Sequence, residues 1–126
     1  MTARVGTAGW SIPARWKPAF PEDGSQLERY AQRLPITEIN SSFYRRHKRE
    51  TYARWRDATP PHFRFSIKAP RTITHERRLR DGQGDLEEFL QDISTLGDKL
   101  GVILVQLPPS LAFDGSAEAF FQTLRA

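Results

Sequence analysis

The chain has 126 residues, 38% of them hydrophobic and 11% aromatic, enough for the core of one domain over 1–126 and too much for wholesale disorder. It contains no cysteine, which excludes a disulfide-stapled scaffold and a thiolate metal site, and no run approaches the ~20 apolar residues of a membrane span. The net charge of +4 is unevenly spread: residues 44–80 hold 12 basic and 3 acidic side chains, and residues 81–126 hold 2 basic and 8 acidic. A basic middle of this kind either attracts phosphate and nucleic acid or is a solvated surface partly neutralised by the acidic end. The first residues, MTARVGTAGW, lack a charged segment followed by an apolar one, so no signal peptide is expected and a cytoplasmic protein is the default.

Residues 4–9, RVGTAG, read as a short strand ending in glycine, followed by the aromatic and proline-containing loop WSIPARWKPAFPEDG. Ser25 opens a helix, and Glu28 three residues later has the capping-box spacing. Leu27, Tyr30, Ala31 and Leu34 form one apolar helical stripe.

The second unit begins with ITEINSSFYRRHKRE at 36–50. It starts like a buried strand, yet Glu38 and Asn40 share one parity, and burying a carboxylate is costly unless it is used or paired. A weaker helix follows near 50–58, with Tyr52 and Trp55 turned inward, and TPP stops it.

The third strand, HFRFSIK at 62–68, alternates cleanly. Phe63, Phe65 and Ile67 must face helices, which leaves Arg64, Ser66 and Lys68 on the other face. A loop over 69–85 leads to a helix near 86–96, where Leu86, Phe89, Leu90, Ile93 and Leu96 form the best stripe in the chain. The fourth strand, GVILVQL at 101–107, is nearly all apolar, as expected of a parallel strand covered on both faces. Ala117, Phe120, Phe121 and Leu124 mark a last helix near 116–124.

Four strand–helix units of this size predict an α/β fold, about half of a TIM-type (β/α) barrel of ~250 residues. No GxGxxG or GxxxxGKS turn follows a strand, which argues against dinucleotide or P-loop chemistry. A half barrel would expose two sheet edges, so self-association through those edges is one expectation.

In parallel α/β folds the working residues lie where strands end. Those places hold Trp10, Glu38, Asn40, Phe43, Tyr44, Lys68, Thr74, His75 and Gln106. Glu38, Lys68 and Gln106 are expected to converge at one mouth, with Glu38 as general acid/base and Lys68 holding an anionic group. The rival reading is a structural Glu38–Lys68 ion pair. Trp10, Trp16, Phe43 and Tyr44 suit a stacking wall, or else ordinary core closing the mouth. A metal on Glu38 and His75 would lack its remaining ligands, so neither metal nor cofactor is expected.

The blocks VGTAGWSIPARW, TEINSSFYR, FRFSIKAPRTITHERRL and LGVILVQLPPSLAFD, in this order, resemble the domain-of-unknown-function 72 family, also called YecE-like. The resemblance runs over nearly the whole chain and implies a TIM barrel of about twice this length, of which this sequence looks like the N-terminal half. Its motif positions match Gly9, Trp10, Glu38, Asn40, Phe43, Tyr44, Lys68, Thr74, His75, Gln106 and Pro108. RRHKRE departs from the family pattern by offering no Ser, Thr or Asp cap to the second helix. The family brings no established reaction.

The expected function is therefore an uncharacterised, enzyme-like barrel protein binding a polar, anionic small molecule at the strand ends, with hydrolysis or isomerisation as the fitting chemistry. The alternative is a nucleic-acid-associated protein using the basic aromatic segment 43–80, where Phe43, Tyr44, Tyr52 and Trp55 would stack on bases. A third reading is a half barrel without activity of its own.

Overall fold

The computed structural model describes residues 3–80 and 83–125. Its centre is a four-stranded sheet in the order β1 (Gly6–Ala8), β2 (Ile36–Ile39), β3 (Arg64–Lys68) and β4 (Leu100–Leu104), with every neighbouring pair parallel. Among the described residues β1 and β4 each pair on one side only. Helices α1 (Gln26–Ala31), α2 (Arg49–Asp57), α3 (Gln83–Ile93) and α4 (Gly115–Arg125) follow the strands in turn. This is an α/β fold with one helix after each strand.

The local signals act largely as expected. Ser25 caps α1: its Oγ accepts the Glu28 amide at 3.2 Å, while the Glu28 carboxylate accepts the Ser25 amide at 3.2 Å. The helix ends at Ala31, before Leu34, because the residue preceding Pro35 is pushed out of the helical region. Lys48 precedes α2 and supplies no side-chain cap. The other end of α2 is held by Lys99, whose Nζ donates to the carbonyls of Arg56 and Thr59.

Two expectations shift. The segment after β3 is not simply a loop, since Thr72–Glu76 form a π-helical turn with Ile73 and Thr74 buried. Helix α3 starts three residues earlier than the apolar stripe predicts and gives way at Ser94 to a 3-10 segment, Ser94–Lys99, kinked at Gly97 with φ 58°. Left-handed backbone of this kind is cheap only for glycine.

The core lies on one side of the sheet. Phe63, Phe65 and Ile67 are fully buried against the helices, each worth roughly 1.5–3 kcal/mol relative to exposure. Thr37 and Ile39 of β2 face the same way, together with Leu27, Tyr30, Tyr52, Ile93 and Leu96. A second cluster joins Ile73, Leu79, Leu86, Ala117 and Phe120, and so packs α4 onto the π-turn and α3.

The opposite face carries Ala8, Glu38, Ser66 and Val102 in one row, with Lys68 beside Leu104 in the next. On it Val102 is 56% and Leu104 39% exposed. The expectation that β4 is covered on both faces therefore does not hold within this one chain: no described element packs on the open side. Among the described residues no helix is long and apolar enough to cross a membrane.

Candidate functional site

The turn after β2 builds the site. Asn40 leads into the 3-10 turn Ser41–Phe43. Ser42 is buried, and its hydroxyl lies 2.6 Å from the Lys68 carbonyl and 3.1 Å from that of Ile39, which fastens this turn to the end of β3. The Lys68 side chain therefore emerges beside Asn40 and Phe43. Its Nζ donates to Asn40 Oδ1 at 3.3 Å and stands over the Phe43 ring, 4.3 Å from the centroid. Lys68 is only 9% exposed, yet among the described residues it has no carboxylate within ion-pair distance.

The π-turn closes the other flank. It sets His75 edge-on to Phe43, with ring centroids 5.1 Å apart, and His75 Nδ1 lies 2.8 Å from Thr74 Oγ1. Two consecutive residues just beyond, Arg78 and Leu79, take positive φ values of 51° and 64°. That backbone is costly for side chains larger than glycine and persists only where the surroundings impose it. Here Leu79 is drawn into the second apolar cluster, while Arg78 donates to the Ser110 hydroxyl and carbonyl, both at 3.1 Å. Tyr44 lies edge-on to Phe43 at 5.1 Å and is 65% exposed, on the rim.

Tyr44, Lys68 and His75 thus meet around the Phe43 ring, with Asn40 bonded to Lys68 and Thr74 to His75. The remaining expected residues do not join them. Glu38 is half-buried on the open face, one row before Lys68 and in register with Ser66. The Glu38–Lys68 ion pair of the rival reading is absent among the described residues, because Lys68 turns toward Asn40 and Phe43 instead. Glu38 lies in a shallow depression with Gly6, Ala8 and Ser66. Trp10 follows Gly9, whose φ is 75°, and packs edge-on against Trp55 at 4.9 Å, in a separate aromatic cluster. Gln106 is exposed beyond the end of β4, without a hydrogen bond among the described residues.

The donors gathered around Lys68 favour an anion. A cation brought to Asn40 Oδ1 would meet the lysine charge, whereas a carboxylate or phosphate would gain a charge-assisted bond in a partly desolvated place.

A neighbouring arrangement was not legible in the sequence. Between the turn after β2 and α3 lies a cavity of about 190 Å³, with Tyr44, Arg46, His47, Phe89 and Asp92 among its lining residues. Asp92 is buried and receives Arg46 Nε at 2.8 Å and Arg49 Nε at 3.0 Å. Burial works to raise its pKa, but the two guanidinium groups outweigh that and hold the carboxyl below its ordinary range. His47 is buried, with Nε2 2.7 Å from Ser41 Oγ; burial, and then the Arg45 charge, lower its pKa. Burial, reinforced by the Asp92 charge, drives the Tyr52 phenol well above its usual range. The one sequence signal for Asp92 was its place beside Phe89 and Ile93, inside the strongest apolar stripe.

The model of the family described as "Protein of unknown function DUF72" matches residues 4–126. The chain is 35% identical over 104 residues to UPF0759 protein YecE of Escherichia coli (strain K12), covering 82% of this chain and 37% of that protein. It is 26% identical over 111 residues to UPF0759 protein YunF of Bacillus subtilis (strain 168), covering 83% and 39%. A crystal structure of a DUF72 family protein from Enterococcus faecalis V583 superposes with a TM-score of 0.76 at 25% identity, over 97% of this chain and 46% of that one. One from Thermotoga maritima MSB8 superposes with a TM-score of 0.70 at 28% identity, over 97% and 50%. The chain thus spans less than two fifths of these curated relatives and about half of these solved structures.

Proposed function

The chain belongs to the DUF72 family of proteins of unknown function, and we propose that its four strands are one half of a TIM-type barrel that holds a small anionic molecule at their C-terminal ends. The observation that carries this reading is Lys68: a buried lysine at the end of a parallel strand, braced by Asn40 and Phe43, with no carboxylate neutralising it among the described residues. Strand ends of this kind are where α/β folds hold ligands. Lys68 is the electrostatic clamp; Asn40 and His75 are polar contacts, Thr74 holds His75 in place from its buried position, and Tyr44 is the rim. Glu38, on the same face and without an ion pair among the described residues, is the acid/base of a hydrolysis or isomerisation. Gln106 and Trp10 stand apart from this group and have no part in the reading.

A nucleic-acid role receives less support. Of the four aromatic residues that would stack on bases, Tyr52 and Phe43 are buried, Trp55 is packed into the core, and only Tyr44 is exposed. Arg46, Arg49, Arg56, Arg78 and Arg80 of the basic segment are engaged by protein groups.

The test is a thermal-shift titration with inorganic phosphate, small carboxylates and sugar phosphates, on wild type and Lys68→Met. At least one anion class raises the wild-type midpoint and leaves the variant unmoved. Equal response of the two proteins to every anion would sink the reading.

A further inference from the structure

The cavity between the turn after β2 and α3 plays no part in the reading above. Its volume is about 190 Å³, and Lys68 is not among the residues that line it. None of its lining residues comes from β1 or β4 either. Its walls come from the turn after β2, from α2, from the segment of the π-turn and from α3.

Two of the lining side chains are almost wholly buried and yet keep a polar atom unused. Tyr52 is 2% exposed, and its hydroxyl has no hydrogen-bond partner among the described residues. His47 is 8% exposed; its Nε2 lies 2.7 Å from Ser41 Oγ, and its Nδ1 has no partner among the described residues. A polar atom sealed away without a partner is costly. Among the described residues no side-chain nitrogen or oxygen is in that state. Both atoms therefore open onto the cavity that their side chains line.

The rest of the wall limits what can meet them. Phe43 and Phe89 supply aromatic surface. The lining carboxylates are already answered: Asp85 by Arg77 at 2.6 Å, Glu88 by Arg46 at 3.0 Å, and Asp92 by Arg46 and Arg49. Arg45 is exposed to solvent. An anion entering here would meet three carboxylates and a cation would meet Arg46, so an uncharged molecule fits best. Burial keeps the Tyr52 phenol protonated and His47 neutral, so each offers the neutral hydrogen-bonding groups of its ring. A cavity of about 150 Å³ admits benzene, and this one has room for a ring with a small substituent.

We propose that this cavity binds an uncharged, monocyclic aromatic molecule whose polar substituent meets Tyr52 and His47 while its ring packs against Phe43 and Phe89. The proposal stands independently of the anion site at Lys68.

The test is a titration of the isotope-labelled chain with benzamide by two-dimensional NMR, read at the amide signals of His47, Tyr52 and Phe89. Those signals are expected to move and to saturate at millimolar benzamide. Benzoate and benzylamine, similar in shape but charged, and toluene, without a hydrogen-bonding group, should each bind there about fivefold more weakly or worse, the scale of one hydrogen bond. Benzoate held at the anion site is told apart by shifts at Lys68 and Asn40. Tyr52→Phe keeps the ring and breaks no hydrogen bond among the described residues, so its urea midpoint should not fall, while benzamide affinity should drop about fivefold. Absence of saturable shifts would mean that the cavity holds water alone, and would overturn the proposal. So would equal affinity for toluene or for either charged ring, or undiminished benzamide affinity in the folded variant. Should Tyr52→Phe fail to fold, the comparison of benzamide with toluene on wild type decides by itself.

Discussion

Lys68 Nζ stands 4.3 Å from the centre of the Phe43 ring, and the same ring meets His75 and Tyr44 edge-on. One buried phenylalanine therefore orients a cation from β3 and an imidazole from the following π-turn. A cation over a partly desolvated ring is worth about 1 kcal/mol. Phe43→Leu keeps the volume nearly constant but removes the ring, so it lowers stability by ~1–2 kcal/mol and weakens anion binding through Lys68. In a double-mutant cycle with Lys68→Met, denaturant unfolding should give a coupling of about 0.5–1 kcal/mol. Strict additivity would mean that the contact carries no energy.

Tyr30 ties the first strand to the second. Its hydroxyl accepts the Thr7 amide at 2.8 Å and donates to the Ile36 carbonyl at 2.8 Å. β1 has only three residues, so this bridge is a large share of what holds it. Tyr30→Phe is expected to cost about 1–1.5 kcal/mol and to speed hydrogen exchange at Thr7 and its neighbours, leaving β3 protected. Unchanged protection at Thr7 would remove the hydroxyl from the account of β1.

His47 sets a pH dependence. Its folded pKa is lowered from the ordinary value of 6.5 by burial and by Arg45. As pH falls through about 6.5, the unfolded chain takes up the proton before the folded one does, so stability is full above that value and declines below it. Urea midpoints measured between pH 8 and pH 5 should fall on the acid side, with His47→Gln flattening the decline. Parallel curves for the two proteins would assign the decline to other groups.

Asp92 links α3 to the turn after β2 through Arg46 and Arg49. Its lowered pKa means that the link is whole above the ordinary carboxylate value of 3.8 and is lost as pH falls through the lower folded value. Asp92→Asn should cost about 1–2 kcal/mol at pH 7, because both arginines are more than half exposed and regain water when released. The difference from wild type should shrink at pH 3. An equal penalty at both pH values would point to packing rather than charge.

Much of the architecture was readable because it depends on periodicity. The alternation of Phe63, Phe65 and Ile67 identified β3 and its buried face, and Ser25 with Glu28 marked the start of α1. Three of the expected site residues, Tyr44, Lys68 and His75, meet the Phe43 ring, and Asn40 and Thr74 reach it through Lys68 and His75, because strand ends and the turns after them are local features. What escaped notice joins residues far apart in the chain. Asp92 meets Arg46 across 46 positions, and no local pattern announces that contact.

Taken alone, the sequence determined the four strand–helix units, the parity of the second and third strands and the family resemblance, since these follow from residue spacing and from the chain's own order. Only the tertiary structure decided which charges meet. Among the described residues Lys68 finds Asn40 and a ring rather than Glu38, and Trp10 joins Trp55 rather than the site. The reason is physical: periodicity states which side of an element a residue occupies, but the side-chain direction that decides a partner is set by packing from other elements.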